Sequence, residues 1–174
     1  AKMDAGDIIS QERVPILDED NAGTLHDKLS ILGRDLILKT IPDIVNGTAT
    51  YTKQNESEAT FGFVIKREDE HIDFHQTTRE IVNKIRGLSP YPGAYSFLSG
   101  KIVKVWNAKK GDNYYSDALC GQVTKLYDDG IGVKSENGEV IITELQLEGR
   151  KRMSANEFLH GAVNKDMLLG RIFE

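Results

Sequence analysis

Apolar residues recur at steps of three and four from Leu25 through Leu29 and Leu32 to Leu36, with Ile41 further along, which predicts one long helix with a single apolar face over about Leu25 to Val45. Thr24 is placed to cap it, with Asp27 in the first turn, and Asn46-Gly47 is a stop signal; Pro42 is expected to bend the last turn. Ahead of the helix, Ile8 to Ile16 reads as a strand closed by Pro15 and the acidic Asp18-Glu19-Asp20. Behind it, Thr48 to Ile65 is polar and aperiodic, with Tyr51, Phe61 and Phe63 as sparse anchors, and is expected to run as an extended surface linker. One strand and one helix cannot enclose a core. The chain is therefore expected to be a fragment whose missing sheet lies upstream.

From about Lys66 the pattern changes. Thr77 and Glu80 form a capping box, so a helix should start near Thr78 and present Ile81, Ile85 and Leu88 on one face. Gly87 is expected to end it in the left-handed conformation, and the two prolines around Tyr91 to hold a stiff, extended segment with a packed ring. Alternating strands follow at Tyr95–Leu98 and Ile102–Trp106, joined by Ser99-Gly100. Lys109 to Leu119 reads as a polar excursion. Three more strands, at Gly121–Tyr127, Ile131–Ser135 and Glu139–Leu147, are separated by the turn signals Asp128-Asp129-Gly130 and Glu136-Asn137-Gly138. Ser154 and Glu157 form a second capping box before a short helix that Gly161 ends. Short strands at this spacing with flanking helices predict a small closed antiparallel barrel of the OB type.

Composition narrows the class only slightly. The chain has 174 residues, 39% hydrophobic and 28% charged, which is ordinary for a folded domain. Its single cysteine, Cys120, excludes an internal disulfide and fits a reducing cytoplasm. No apolar run is long enough to span a bilayer. The net charge of −5 argues against nucleic acid until it is divided. Residues 1–65 hold 6 Lys and Arg against 11 Asp and Glu, and residues 66–174 hold 16 of each. A neutral second region still carries a basic face if its charges segregate.

The stretch Lys84 to Tyr95, KIRGLSPYPGAY, resembles the signature RGL-N-P-W-P-x-A-Y that opens the C-terminal domain of methionyl-tRNA formyltransferases, with Ser89 for the Asn and Tyr91 for the Trp. Three further stretches resemble the same family in the same order: Lys2 to Ile9, Asn21 to Gly33 and Leu145 to Gly161. The resemblance implies three parts. Residues 1–47 would be the C-terminal strand and helix of a Rossmann-like α/β catalytic domain, 48–65 a linker, and 66–174 the OB-like domain that meets initiator tRNA. It implies 10-formyltetrahydrofolate as formyl donor, the methionyl amine of initiator tRNA as acceptor, no metal, and a monomeric full-length enzyme in the cytoplasm.

Candidate chemistry is sparse. The resemblance makes Asp4 the catalytic aspartate of a D-x-G loop, ordering a histidine and a proton-relaying water, with Met3 beside it toward the folate. Its partner Asn and His do not occur at matching motifs, so this chain alone is expected to be inactive. Read without the family, Asp4 only starts a turn. Arg150-Lys151-Arg152, Lys101, Lys104, Lys109, Lys110, Lys84 and Arg86 are the cations that would meet tRNA phosphates, the alternative for each being a solvated face. His71 and His75 lack neighbouring thiolates for zinc, and residues 112–117 lack the glycine and glutamate of a calcium loop. Two rival readings stay open. One is a formyltransferase or formyltetrahydrofolate dehydrogenase of the same fold with a small-molecule acceptor. The other is a non-enzymatic OB-type nucleic-acid-binding module.

Overall fold

The computed structural model describes residues 3–161 and 165–174, so Ala1 and Lys2, which open the first of the four motifs, lie outside the described residues. The chain divides into two compact units, Ala1–Val64 and Ile65–Glu174.

The first unit is built on helix α1, Ala22–Asn46. Its cap is Asn21 rather than Thr24. The Asn21 side chain accepts from Thr24 N–H at 2.9 Å, and the Thr24 hydroxyl accepts from Asn21 N–H at 3.0 Å. Threonine is the returning partner three residues on, where the sequence reading had placed the cap itself. Gly47 ends the helix at φ 70, its N–H turned back on Ile44 and Asp43. No residue of α1 is buried, and Leu29, Ile41 and Ile44 on its apolar side are exposed. The expected strand over Ile8–Ile16 is reduced to a single bridge between Ile8 and Thr52. A strand persists only where a neighbour pairs with it, and beyond Ile8 no described residue does so. The 48–64 stretch folds back on its own unit: besides Thr52, Gln54 reaches the Asp4 and Gly6 carbonyls at 3.0 and 2.6 Å.

The second unit is a sheet with α2, Thr78–Gly87, and α3, Ala155–Gly161. The strands are β1 Ala94–Leu98, β2 Lys101–Gly111, β3 Val123–Tyr127, β4 Gly130–Ser135, β5 Gly138–Leu147 and β6 Met153–Ser154. All pairings are antiparallel in the order β1-β2-β5-β4-β3, with β6 also on β5. Both capping boxes form, Thr77 with Glu80 and Ser154 with Glu157. Ile81, Ile85 and Leu88 of the α2 region pack into one core with Val103, Val105, Ile131, Val133, Val140, Ile142 and Phe173. Each such side chain withdrawn from water contributes about 1.5–3 kcal/mol.

Four expectations change here. The helix α2 ends on Leu88 at φ −100, not on a left-handed Gly87, because Leu88 is drawn into the core and its N–H returns to the Lys84 carbonyl at 3.1 Å. The prolines hold a tight turn instead of an extended run; both their peptide bonds are cis, and Gly93 N–H closes the turn on the Leu88 carbonyl at 2.8 Å. Lys109, Lys110 and Gly111 are no excursion but the last rungs of β2, paired with Ile141, Val140 and Glu139. Finally, the sheet does not close by strand pairing, since β1 and β3 remain its two edges. Residues near the C-terminus bond to both, at Phe97 through Glu174 and at Val123 through Arg171 and Gly170.

Candidate functional site

The basic residues are sorted by the pleat of β2. Val103 and Val105 point into the core, so Lys104 and Trp106 point out. Gln146 on β5 lies opposite Lys104, and its side chain accepts from the Trp106 indole N–H at 3.1 Å. The other end of the same amide donates to the Arg150 carbonyl at 2.9 Å. Gln146 thereby fastens the turn Leu147–Arg150, with Gly149 at φ 71, beside the indole. Arg152 follows, its guanidinium 5.0 Å from the indole centroid and forked onto the Glu144 carboxylate. The Lys104 ammonium stands 5.3 Å from the same centroid and donates to the Pro92 carbonyl at 2.8 Å. Gly93 completes the contact: at φ 88 it lies so close that a Cβ would sit 2.6 Å from Trp106 Cζ3.

Lys104 and Arg152 thus flank one half-buried indole, and Gln146 ties the Arg150 backbone to it, with Lys151 next in the chain. Glu144 offsets Arg152, whereas Lys104 donates to a neutral carbonyl and, among the described residues, forms no ion pair. Arg150 and Lys151 are exposed. The other expected cations are elsewhere. Lys84 donates to the His71 carbonyl at 2.9 Å, and Arg86 bonds to Asn83 on α2. Lys101 opens β2 at the hairpin turn, while Lys109, paired with Asp129 at 2.7 Å, and Lys110 lie toward its far end.

Sequence reasoning missed Trp106, Gln146 and Gly93 as parts of this patch. The Lys-x-Trp spacing on a strand was the available signal, because a period of two puts both side chains on one face. Tyr91, expected to pack, is 85% exposed.

In the first unit Asp4 occupies a turn at φ 56 with its carboxylate exposed. A cleft of about 550 Å³ opens beside it, lined by Met3, Asp4, Gln54, Asn55 and Phe61 among others. Asn55 is engaged locally, accepting from Ser57 N–H at 3.1 Å, and His26, on α1, pairs with Asp27 at 3.2 Å. In the second unit His71 Nε2 meets the Glu174 carbonyl at 2.9 Å and His75 meets Asp73 at 3.1 Å, so the two histidines have separate partners. Among the described residues no cluster of three or more His, Cys, Asp or Glu is arranged to hold a metal ion, and no helix is long and apolar enough to cross a membrane.

The formyl transferase C-terminal domain model matches residues 64–163. A methionyl-tRNA formyltransferase from Macrococcus caseolyticus is 41% identical over 172 residues, covering 99% of this chain and 54% of its own length. One from Geobacillus sp. is 47% identical over 162 residues, covering 92% and 51%. The chain therefore spans about half the length of the curated relatives it matches. Among solved structures, HypX from Aquifex aeolicus in complex with tetrahydrofolic acid aligns with a TM-score of 0.68 at 21% identity, over 91% of this chain and 28% of that one. An N-formyltransferase from Helicobacter canadensis, in complex with folinic acid and dTDP-3-aminofucose, aligns at 0.61 and 23% identity, over 81% and 51%. These two show likeness of fold. The family model covers more than half of the 174 residues, and the chain belongs to the formyl transferase C-terminal domain family.

Proposed function

We propose that the whole protein, of which this chain is the C-terminal part, transfers a formyl group from 10-formyltetrahydrofolate to the methionyl amine of initiator tRNA at the start of translation. Residues 66–174 form its tRNA-binding domain, an OB-like barrel in which the C-terminal residues bridge the gap between β1 and β3. Residues 1–47 are the end of its catalytic domain, and 48–65 join the two. The enzyme acts as a cytoplasmic monomer. Relatives named methionyl-tRNA formyltransferase, similar along 92–99% of this chain, support the reading. The observation that carries its tRNA half is the pair Lys104 and Arg152 flanking Trp106, beside the fastened turn that leads into the run Arg150-Lys151-Arg152. Phosphate contacts of this kind supply much of the affinity for RNA and hold it in register.

The donor supplies an activated formyl carbon. Met3 and Asp4 would face it: their cleft offers the carboxylates of Asp4, Glu56 and Glu58, the amides of Gln54 and Asn55 and the exposed Phe61 ring, groups that suit the edge and face of a pteridine. As the formyl carbon bonds to the amine and its bond to the folate nitrogen breaks, the amine must lose a proton and the departing folate nitrogen must gain one. The Asp4 carboxylate, exposed in its turn, would hold a water or imidazole in that relay. Asp4 without the expected Asn and His is not a formyltransferase site. Assaying the whole protein and the 174-residue chain side by side for formyl-methionyl-tRNA tests the reading. Product is expected from the first and none above background from the second. Formylation of a small amine but not of methionyl-tRNA by the whole protein would move the acceptor to the rival class.

A further inference from the structure

Tyr91 is presented in a way the proposed activity does not by itself explain. Its ring stands 85% exposed, yet the turn that carries it is anchored at both ends. On one side Leu88 and Ser89 are buried, and Gly93 N–H closes the turn on the Leu88 carbonyl at 2.8 Å. On the other, Gly93 lies against the Trp106 ring and the Pro92 carbonyl accepts from Lys104 Nζ at 2.8 Å. A proline on each side restricts the backbone further. The result is an aromatic ring on a stiff mount at the border of the cationic patch, with Lys104 bonded to the very next residue.

We propose that Tyr91 is a stacking platform for an unpaired nucleotide of the RNA whose phosphates Lys104, Arg150, Lys151 and Arg152 hold; this rests on the tRNA reading above. A flat ring beside cations suits single-stranded nucleic acid, in which a base is free to stack while its flanking phosphates meet the positive charges. A duplex keeps its bases stacked on one another and offers such a ring only an outer edge. A pre-mounted ring also loses little freedom on binding, which favours its use as a fixed contact point. An apolar protein partner is disfavoured by the charged surroundings of the ring.

Trp106 is the chain's single tryptophan, so its fluorescence reports from inside the patch. The 174-residue chain would be titrated with a single-stranded oligocytidylate and with a blunt RNA hairpin of equal phosphate number. Both are expected to perturb Trp106 emission. Tyr91→Ala should weaken the single strand by about tenfold and the hairpin by less than twofold, with an unchanged salt slope because no charge is removed. Tyr91→Phe should restore wild-type binding. If Tyr91→Ala binds both RNAs as the wild type does, or loses both equally, the stacking role is wrong while the cationic patch stands. If neither RNA binds at low salt, the tRNA reading fails and takes the stacking proposal with it.

Discussion

The Trp106 indole donates to Gln146 at 3.1 Å, and the same Gln146 amide donates onward to the Arg150 carbonyl at 2.9 Å. One side chain therefore couples the outward face of β2 to the turn that carries the basic run. Without it, Arg150 and Lys151 would ride on a turn held by the Arg150 N–H on the Leu147 carbonyl and the Glu148 N–H on the Ile102 carbonyl, with no bond to the indole side of β2. Gln146→Met keeps the bulk and removes both bonds. It should cost about 1 kcal/mol in denaturant unfolding and weaken RNA binding several-fold. Full RNA affinity in a variant that had lost the two bonds would show that the turn does not need fastening.

Gly93 lies against the same indole, and its substitution by alanine meets two obstacles. The backbone is at φ 88, and the new Cβ would sit 2.6 Å from Trp106 Cζ3. Gly93→Ala should destabilise the second unit by about 1–3 kcal/mol and shift Trp106 emission. An alanine variant with wild-type unfolding and emission would contradict this geometry.

Away from the patch, Glu139 is fully buried on β5 and takes a hydrogen bond from the Tyr127 hydroxyl at 2.8 Å, with Asn113 donating to the same oxygen at 3.1 Å. Burial first, then the bond to Glu139, pushes the Tyr127 phenol well above its ordinary value of 10.0. The folded state thus keeps a proton that the unfolded chain releases. The resulting stabilisation is complete below about pH 10 and is lost as pH rises toward the folded-state value. Stability should fall as pH rises above about 10, and Tyr127→Phe should flatten that part of the profile while lowering stability at neutral pH by about 1–3 kcal/mol. An unchanged alkaline slope in Tyr127→Phe would place the titration elsewhere.

What the sequence disclosed was mostly local. Capping boxes at Thr77 and Ser154 and two-residue turns such as Asp128-Asp129 are written in neighbouring residues, and all of them form. Long-range pairing left weaker marks. The full length of β2 depends on β5, some thirty residues on, and the bridging of β1 and β3 depends on residues 170–174. The patch was half legible: Arg150-Lys151-Arg152 stood out as a run, whereas its union with Lys104 through Trp106 needed the strand register. The expected strand at Ile8–Ile16 illustrates the opposite error, since a strand-like stretch makes no ladder without a partner.

If Asp4 serves the proton relay, Asp4→Asn in the whole enzyme should lower kcat by roughly a hundredfold or more and leave tRNA affinity within a few-fold. The side chain is exposed in its turn, so folding should be little affected. Steady-state formylation with methionyl-tRNA measures both quantities. Activity close to wild type would return Asp4 to the role of a turn former.

The central claim is that the surface around Trp106 binds tRNA through its cations, and the salt dependence of binding tests it most directly. Arg150, Lys151 and Arg152 would be replaced together by alanine, and the affinity for initiator tRNA measured across a range of salt concentrations. Affinity should be several-fold to about a hundredfold weaker at low salt, and the slope of log K against log salt shallower by up to about three phosphate contacts. Unfolding should change little beyond the loss of the exposed Arg152–Glu144 pair, about 0.2–1 kcal/mol. A triple variant that keeps both the affinity and the salt slope of the wild type would contradict the account.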